Sequence, residues 1–382
     1  MKRKIAVIAS SRATYGYKKR IIKLIHKSKD LSLQLIVTGM HLLKEYGYSV
    51  KEIEKDGFPV TARVEMMVGG DTPSAWVKSL GVEMQGLAQV FSMLAPDLVL
   101  VTGDRGEMFA AAAAAAYMNI PVAHIQAGDV SGHIDGSARH AITKFSHIHF
   151  SACEDSAVRV RKMGEEPWRI FNVGAPQLDE IVQGKKVSRN VLQKIFKLDF
   201  DLSSLLVIQH PVLVEHDQAF EQMVETMEAV KALGLQTVVI YPNVDAGGER
   251  TIAAIKQYEY LPFVCTFKNI ERKAFLSLLG EVSSVVGNSS CGILEAPSFK
   301  LPAINIGNRQ RGRMQAVNVI NAGHSREQIA RAIQKALHDA RYKKKLETCV
   351  NPYGDGHSSE RIVKVLREIE IDAKLLDKQI TY

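Results

Sequence analysis

The sequence predicts an α/β protein built from two Rossmann-like domains that face each other across a cleft. Short apolar runs alternate with helix-forming stretches in two successive series along the chain. A polar segment bearing Gly and Pro separates the two series. The length, 382 residues, is also too great for one ordinary hydrophobic core. Domains are therefore expected over residues 1–180 and 187–357, with a last helical segment over 358–382.

In the first series KIAVIA (4–9), LQLIVTG (33–39), DLVLVTG (97–103), PVAHIQA (121–127) and HIHFS (147–151) read as buried strands. Apolar runs of this kind, separated by helices, imply a parallel, doubly wound sheet. The seven alanines at 110–116 suit a helix packed closely on that sheet, since Ala is small and has the best helix propensity. GAPQLDEIVQGKKVSRN (174–190) reads as the linker. LLVIQH (205–210), TVVIYPN (237–243), FVCTF (263–267), SVVGNSS (284–290) and AINIG (303–307) are the strands of the second series. The final helix, near 359–371, is expected to open on Ser358 and Ser359, both good N-cap residues.

Apolar residues make up 46% of the chain, which excludes disorder. The net charge of +8 suits nucleic acid, an anionic membrane surface or a phosphorylated small molecule. The basic clusters Lys2–Lys4, Lys18–Arg20 and Arg341–Lys345 read as solvated faces, and no nucleic-acid motif accompanies them. Four cysteines without CxxC spacing fit a reducing compartment. The opening MKRKIAVIAS turns polar too soon for a signal-peptide core, and no run approaches a membrane span. The expectation is a soluble cytoplasmic protein with neither nucleic acid nor membrane as partner.

The most charged strand ends lie in VTGDRGE (101–107) and HIQAGDVSGHIDGSARH (124–140). They gather Asp104, Arg105, Asp129, Asp135, Arg139 and His140 at the edge of the sheet where α/β proteins bind ligands. In the second series, GNSSCGILEAP (287–297) reads either as an anion-binding strand–helix turn or as an ordinary Ser N-cap. Glu295, placed inside that helix, suits ribose hydroxyls. GNRQRGR (307–313) adds Arg309, Arg311 and Arg313, and QHP and YPNVDAGG place His210 and Asn243 at further strand ends. SSRATYGY (10–17) supplies Arg12 and Gly16 in a first turn that lacks the dinucleotide fingerprint. His147 and His149 lack an acidic or Cys partner at metal-binding spacing. Cys291 lacks a local base and reads as a packing residue.

These motifs resemble the hydrolysing UDP-N-acetylglucosamine 2-epimerases of sialic-acid and related nonulosonic-acid biosynthesis. The resemblance runs from SSRATYG through VTGMHLLKEYG, GDRGE, VSGHIDGSARHAITK, QHP, YPNVDAG and GNSSCG to INIGNRQRGR. It implies a glycosyltransferase-B-like fold with UDP on the C-terminal domain, the sugar under the N-terminal one, and the last helix crossing back. It implies Arg12, Gly16, Arg105, His210, Asn243, Ser289, Ser290, Glu295, Arg309 and Arg313 as UDP ligands. Asp104, Asp129, Asp135, Gln126, Arg139 and His210 are the implied catalytic set. The implied reaction takes UDP-GlcNAc and water to N-acetylmannosamine and UDP, through elimination to a glycal and hydration with inversion at the second carbon. No cofactor and no metal enter it, and a homodimer or homotetramer is the implied assembly.

The family commonly has Glu where this chain has Gln126, and an amide cannot act as a carboxylate base. Asp129 or Asp135 is then expected to take that role. The same motifs fit UDP-2,4-diacetamido-2,4,6-trideoxyglucose as substrate. A non-hydrolysing epimerase, a UDP-sugar glycosyltransferase and a non-catalytic UDP-sugar sensor are the competing functions.

Overall fold

The computed structural model describes residues 2–44, 47–69, 72–130, 133–242 and 247–382; the side chains of Arg12, Ala13, His133, Ile134 and Leu213 lie outside the description. The chain divides into two compact units, Met1–Asp179 with Tyr353–Tyr382, and Glu180–Pro352. Both are α/β units built on wholly parallel sheets.

In the first unit the strands are β1 (Arg3–Ala9), β2 (Leu31–Thr38), β3 (Val60–Val64), β4 (Leu98–Thr102), β5 (Val122–Ile125), β6 (Ile148–Ser151) and β7 (Ile170–Asn172). Their order across the sheet is β3-β2-β1-β4-β5-β6-β7. The second unit has β8 (Ser204–Ile208), β9 (Gln236–Ile240), β10 (Val264–Phe267), β11 (Ser284–Gly287), β12 (Ala303–Ile306) and β13 (Val319–Ala322), in the order β10-β9-β8-β11-β12-β13. Each sheet therefore reverses direction once, between β1 and β4 and between β8 and β11. Such switch points open a crevice at the carboxyl ends of the strands, because the flanking connections leave to opposite faces.

The central strands are continuous apolar runs because helices cover both of their faces. One core of the first unit joins Ile5, Val7, Leu35 and Leu100 to Ile21, Ile25, Ile362 and Leu366. The opposite face packs Ile8, Val99 and Val101 on Leu87, Phe91, Met108 and Ala111. The second unit repeats the plan around Val207, Val239 and Ile304 on one side and Leu206, Val238 and Val285 on the other. The alanine run lies in the helix Gly106–Tyr117, where Ala110–Ala115 are all buried. A Cβ on Gly106 would come within 3.0–3.2 Å of Leu80 and Trp76, so small residues let this helix approach the helix Pro73–Leu94 closely.

Three strands escape the sequence pattern. β3, β7 and β13 are short and partly exposed, and each sits at a sheet edge. An edge strand needs no continuous apolar run, so periodicity does not mark it.

The expected linker is pinned rather than free. Residues 176–183 form two short helical turns, and Gln177 and Asp179 are buried. The Asp179 carboxylate accepts hydrogen bonds from the backbone N–H groups of Ser358 (2.9 Å) and Ser359 (2.7 Å). The helix Ser358–Glu368 therefore starts one residue before Ser359, and a carboxylate from 179 residues away caps it. A negative charge there complements the helix dipole as well as the orphan N–H groups. Ser358 instead donates its hydroxyl to the Gly174 carbonyl at 2.8 Å. This helix packs on the helix Arg12–Lys27, with Arg20 paired to Glu360 and Arg3 donating to the Leu366 carbonyl at 2.6 Å.

Candidate active site

In the first unit the site is built on the ends of β4 and β5. Gly103 follows β4 with φ +82, and Gln126 follows β5 with φ +65, a left-handed conformation that a non-glycine residue rarely adopts. These turns aim Asp104 and the Gln126 carbonyl at one guanidinium. Arg139 donates from Nη1 to the Gln126 carbonyl at 2.7 Å and pairs through Nη2 with Asp104. The Arg139 side chain is 7% exposed and Asp104 22% exposed, so the pair is largely withdrawn from water. The Gln126 side chain lies over Gly103, where an added Cβ would sit 3.7 Å from its Oε1.

The other two predicted acids stand differently. Asp129 Oδ1 accepts the Ser156 hydroxyl at 2.7 Å. Its turn is fixed by Gly128 (φ +76), since a Cβ there would fall 2.3 Å from the Ser156 carbonyl oxygen. Asp135 is exposed in the first turn of the helix His133–Phe145, one turn before Arg139. The structure thus brings Asp104, Gln126 and Arg139 into direct contact and ties Asp129 to Ser156, while Asp135 is an exposed residue of the helix that carries Arg139. His140, on the same helix, is held below its ordinary pKa by partial burial and by the Arg139 charge.

Arg105 is only partly exposed, and its Nε and Nη2 lie 3.1–3.2 Å from the buried Glu107 carboxylate. Behind that carboxylate sits Lys18, fully buried, its amine donating to the Ile8 carbonyl and its pKa pulled down to about 7 by burial. Glu83 is pushed up to about 9, first by burial and then by the Glu107 charge. Arg12 is the first residue of its helix, with Ser11 as N-cap. Gly16 follows one turn later, and a Cβ there would meet nothing within 4 Å.

In the second unit the ends of β8 and β11 are locked together by Asn288. Its Oδ1 accepts from the His210 N–H at 2.7 Å and its Nδ2 donates to the His210 carbonyl at 2.8 Å. The Asn288 carbonyl accepts from Arg309 Nη1 (3.2 Å) and from Gln310 Nε2 (2.8 Å). One buried amide thereby places His210, Arg309 and the following serines around the switch point. Ser289 and Ser290 are partly exposed, and Ser289 Oγ accepts from the Cys291 N–H at 3.4 Å. Arg311 is exposed and Arg313 partly so, in the turn after β12. Asn243 lies outside the described residues.

The expected helix after GNSS is shorter than the sequence suggests. It spans Cys291–Leu294 and is followed by a 3₁₀ turn, so Glu295 sits at its end rather than within it. Four residues carry little macrodipole. Glu295 is buried and its Oε1 accepts from Arg272 Nη1 at 3.1 Å; Arg272 also pairs with Glu180 at 3.1 Å. Burial pushes the Cys291 thiol up to about 12, which keeps it un-ionised and unreactive. His147 Nδ1 accepts the Val122 N–H at 3.1 Å, and His149 Nε2 lies 3.0 Å from the buried Glu165. Both rings are thus engaged in holding strands and helix ends.

The family described as UDP-N-acetylglucosamine 2-epimerase matches residues 23–367. The chain belongs to this family. It is 39% identical over 382 residues, all of both chains, to a protein of Legionella pneumophila named as a hydrolysing UDP-N,N'-diacetylbacillosamine 2-epimerase. It is 33% identical over 334 residues, 87% of each chain, to a Neisseria meningitidis protein named UDP-N-acetylglucosamine 2-epimerase. A solved Neisseria meningitidis UDP-GlcNAc 2-epimerase bound to UDP-GlcNAc superposes with TM-score 0.81 at 18% identity, covering 96% of this chain and all of that one. The fold is thus the glycosyltransferase-B-like one of the 2-epimerases, and the protein is an enzyme of that kind.

For a 2-epimerase, several residues of the site carried no sequence signal of their own. Glu107 lies inside the GDRGE motif, yet its role as the buried partner of Arg105 needs the fold. Asn288 reads as part of a small-residue turn, and only the β8–β11 pairing reveals its clamp on His210. Arg272 and Asp179 sit in segments with no motif at all. Among the described residues, no helix is long and apolar enough to cross a membrane.

Proposed function

We propose that this epimerase hydrolyses a UDP-2-acetamido sugar with inversion at the second carbon, and that the sugar is of the N,N'-diacetylbacillosamine type, UDP-2,4-diacetamido-2,4,6-trideoxyglucose. The observation that carries the reading is the withdrawn Asp104–Arg139 pair at the switch point of a chain that belongs to this family. The full-length similarity to the Legionella pneumophila protein favours the diacetamido sugar over UDP-GlcNAc. The Neisseria meningitidis relative keeps UDP-GlcNAc, giving N-acetylmannosamine for sialic-type acids, as the second reading.

The chemistry assigns the groups. The C1–O bond to UDP breaks and a proton leaves C2, giving the glycal; water then adds its hydroxyl to C1 and a proton to C2 from the opposite face. A proton on C2 is not acidic, so leaving-group departure runs ahead and the carboxylates stabilise the developing cation. Asp104 and Asp135 handle the protons, with Arg139 fixing Asp104. Asp129, engaged with Ser156, shapes the turn beneath them. His210, Arg309, Arg105, Arg12, Ser289 and Ser290 hold the diphosphate, and Asn243, Glu295, Gly16 and Arg313 complete the nucleotide site. Arginine forks and backbone N–H groups suit a diphosphate in both geometry and charge.

Both UDP-sugars, offered separately in deuterated water, test this reading. Release of UDP together with a 2-epimerised free sugar carrying deuterium at C2 is the expected result, faster for the diacetamido sugar. A UDP-linked 2-epimer as product would replace hydrolysis with simple epimerisation, and silence on both sugars would leave a sensor. Asp135→Asn is expected to lower turnover by about 100-fold and Asp129→Asn by less than about tenfold. Intact turnover in both variants would remove these two acids from the mechanism.

The proposal extends to self-association through the helix Pro73–Leu94. Its exposed residues include Val77, Val82, Gln85, Gln89 and Met93, and Lys78 is the one charged residue among them. A face with a single charge can meet its own copy about a twofold axis with little like-charge conflict. Light scattering is expected to report a dimer or tetramer for the wild type and a smaller species for Val77→Glu. A monomeric wild type would end this part of the reading.

A further inference from the structure

Beneath the Asp104–Arg139 pair lies a fully buried histidine to which neither the motifs nor the proposed chemistry gives a task. His124 is in β5, with its Nε2 2.7 Å from the Gly103 carbonyl and its Nδ1 3.2 Å from Thr143 Oγ1. A carbonyl only accepts, so Nε2 carries the proton and Nδ1 is the acceptor. Burial holds the ring well below its ordinary pKa, so this neutral tautomer persists at physiological pH. The Thr143 hydroxyl has a single proton, which it shares between Nδ1 and the Arg139 carbonyl, 3.0 Å away and one turn back along the helix. Gly103 is held a second time by β5, through its N–H to the Ile125 carbonyl at 3.0 Å.

These contacts close a circuit: His124 to Gly103, along the chain to Asp104, across to Arg139, back through the helix to Thr143, and to His124 again. We infer that His124 is a positioning residue for the reaction, a rigid strut that sets the loop bearing Asp104 against the helix bearing Arg139. The inference rests on the proposed sugar-side role of Asp104. It explains why a polar ring occupies a buried strand position that a valine would fill. Both ring nitrogens are spent on the two elements that must stay in register. Without the strut the Gly103 carbonyl is free to rotate, and Asp104 moves with it. Displacements near 1 Å at a reacting group cost on the order of 100-fold in rate.

The test compares full-length H124N and H124Q with the wild type. An asparagine amide takes the place of Nδ1 and loses the Gly103 bond, whereas a glutamine amide reaches the place of Nε2 and keeps it. H124N is expected to lose about 10- to 100-fold in kcat with KM and UDP affinity unchanged, and H124Q to recover most of that loss. Equal losses in both variants, loss of the fold in both, or full activity in H124N would each overturn the assignment. A measurement independent of turnover accompanies these. The His124 ring nitrogens, followed by NMR from about pH 5.5 to 8, are expected to show one unchanging Nε2–H tautomer. A ring that titrates in this range, or that protonates Nδ1, overturns the strut whatever the substrate. A wild type silent on both sugars refutes the proposed function, and the tautomer measurement still decides the role of His124.

Discussion

Asp104→Asn is expected to lower kcat by about 10²- to 10⁴-fold while leaving UDP affinity within about twofold. The asparagine oxygen still accepts from Arg139, so the guanidinium stays partnered and the turn after β4 keeps its shape. What disappears is the carboxylate's capacity to take a proton and to face a developing positive charge. The loss therefore falls on the transition state and not on nucleotide binding, whose proposed groups sit largely in the other unit. Steady-state rates with calorimetric UDP titration check both halves. Unchanged kcat, or a parallel loss of UDP affinity and melting temperature, would show Asp104 to be an architectural acid.

Gly287→Ala is expected to destabilise the second unit by about 2–4 kcal/mol and to weaken UDP binding at least about tenfold. Gly287 pairs with Ile208 in the β8–β11 ladder at φ +129. An added Cβ would lie 2.1 Å from the Ile208 carbonyl oxygen and 2.6 Å from its carbon. Neither is a flexible side chain that swings aside, so the strands must part. Asn288 is the next residue, and its paired bonds to His210 depend on that spacing. Thermal unfolding and UDP titration are the measurements. A variant as stable and as tight as the wild type would mean that the clamp does not organise the nucleotide site.

Strand-end charges made much of the site legible. Asp104, His210 and Arg309 all follow apolar runs, and in a parallel sheet that position alone puts them at the ligand edge, whereas Arg139 lies inside a helix and reaches Asp104 from there. Their mutual geometry was not legible. Gln126 reads as a missing acid, and the fold adds that its backbone takes a left-handed turn whose carbonyl holds Arg139. Asp129 and Asp135 look equivalent in the sequence, yet one is bonded to Ser156 in the turn after β5 and the other lies in the first turn of the helix that carries Arg139. Glu295 looked like a helix residue and proved to be the end of a four-residue turn, paired with Arg272.

By itself the sequence determined the two parallel α/β units and the strands that form their centres, because buried strands are local patterns, and the kind of enzyme followed from the resemblance of its motifs to a known family. Tertiary structure alone decided the edge strands β3, β7 and β13, the capping of the last helix by Asp179, the Asn288 clamp on His210, and the circuit through His124. Each of these joins groups far apart in the chain, or rests on partial burial. A buried polar group is stable only beside its partner, and no period in the sequence records where that partner will be.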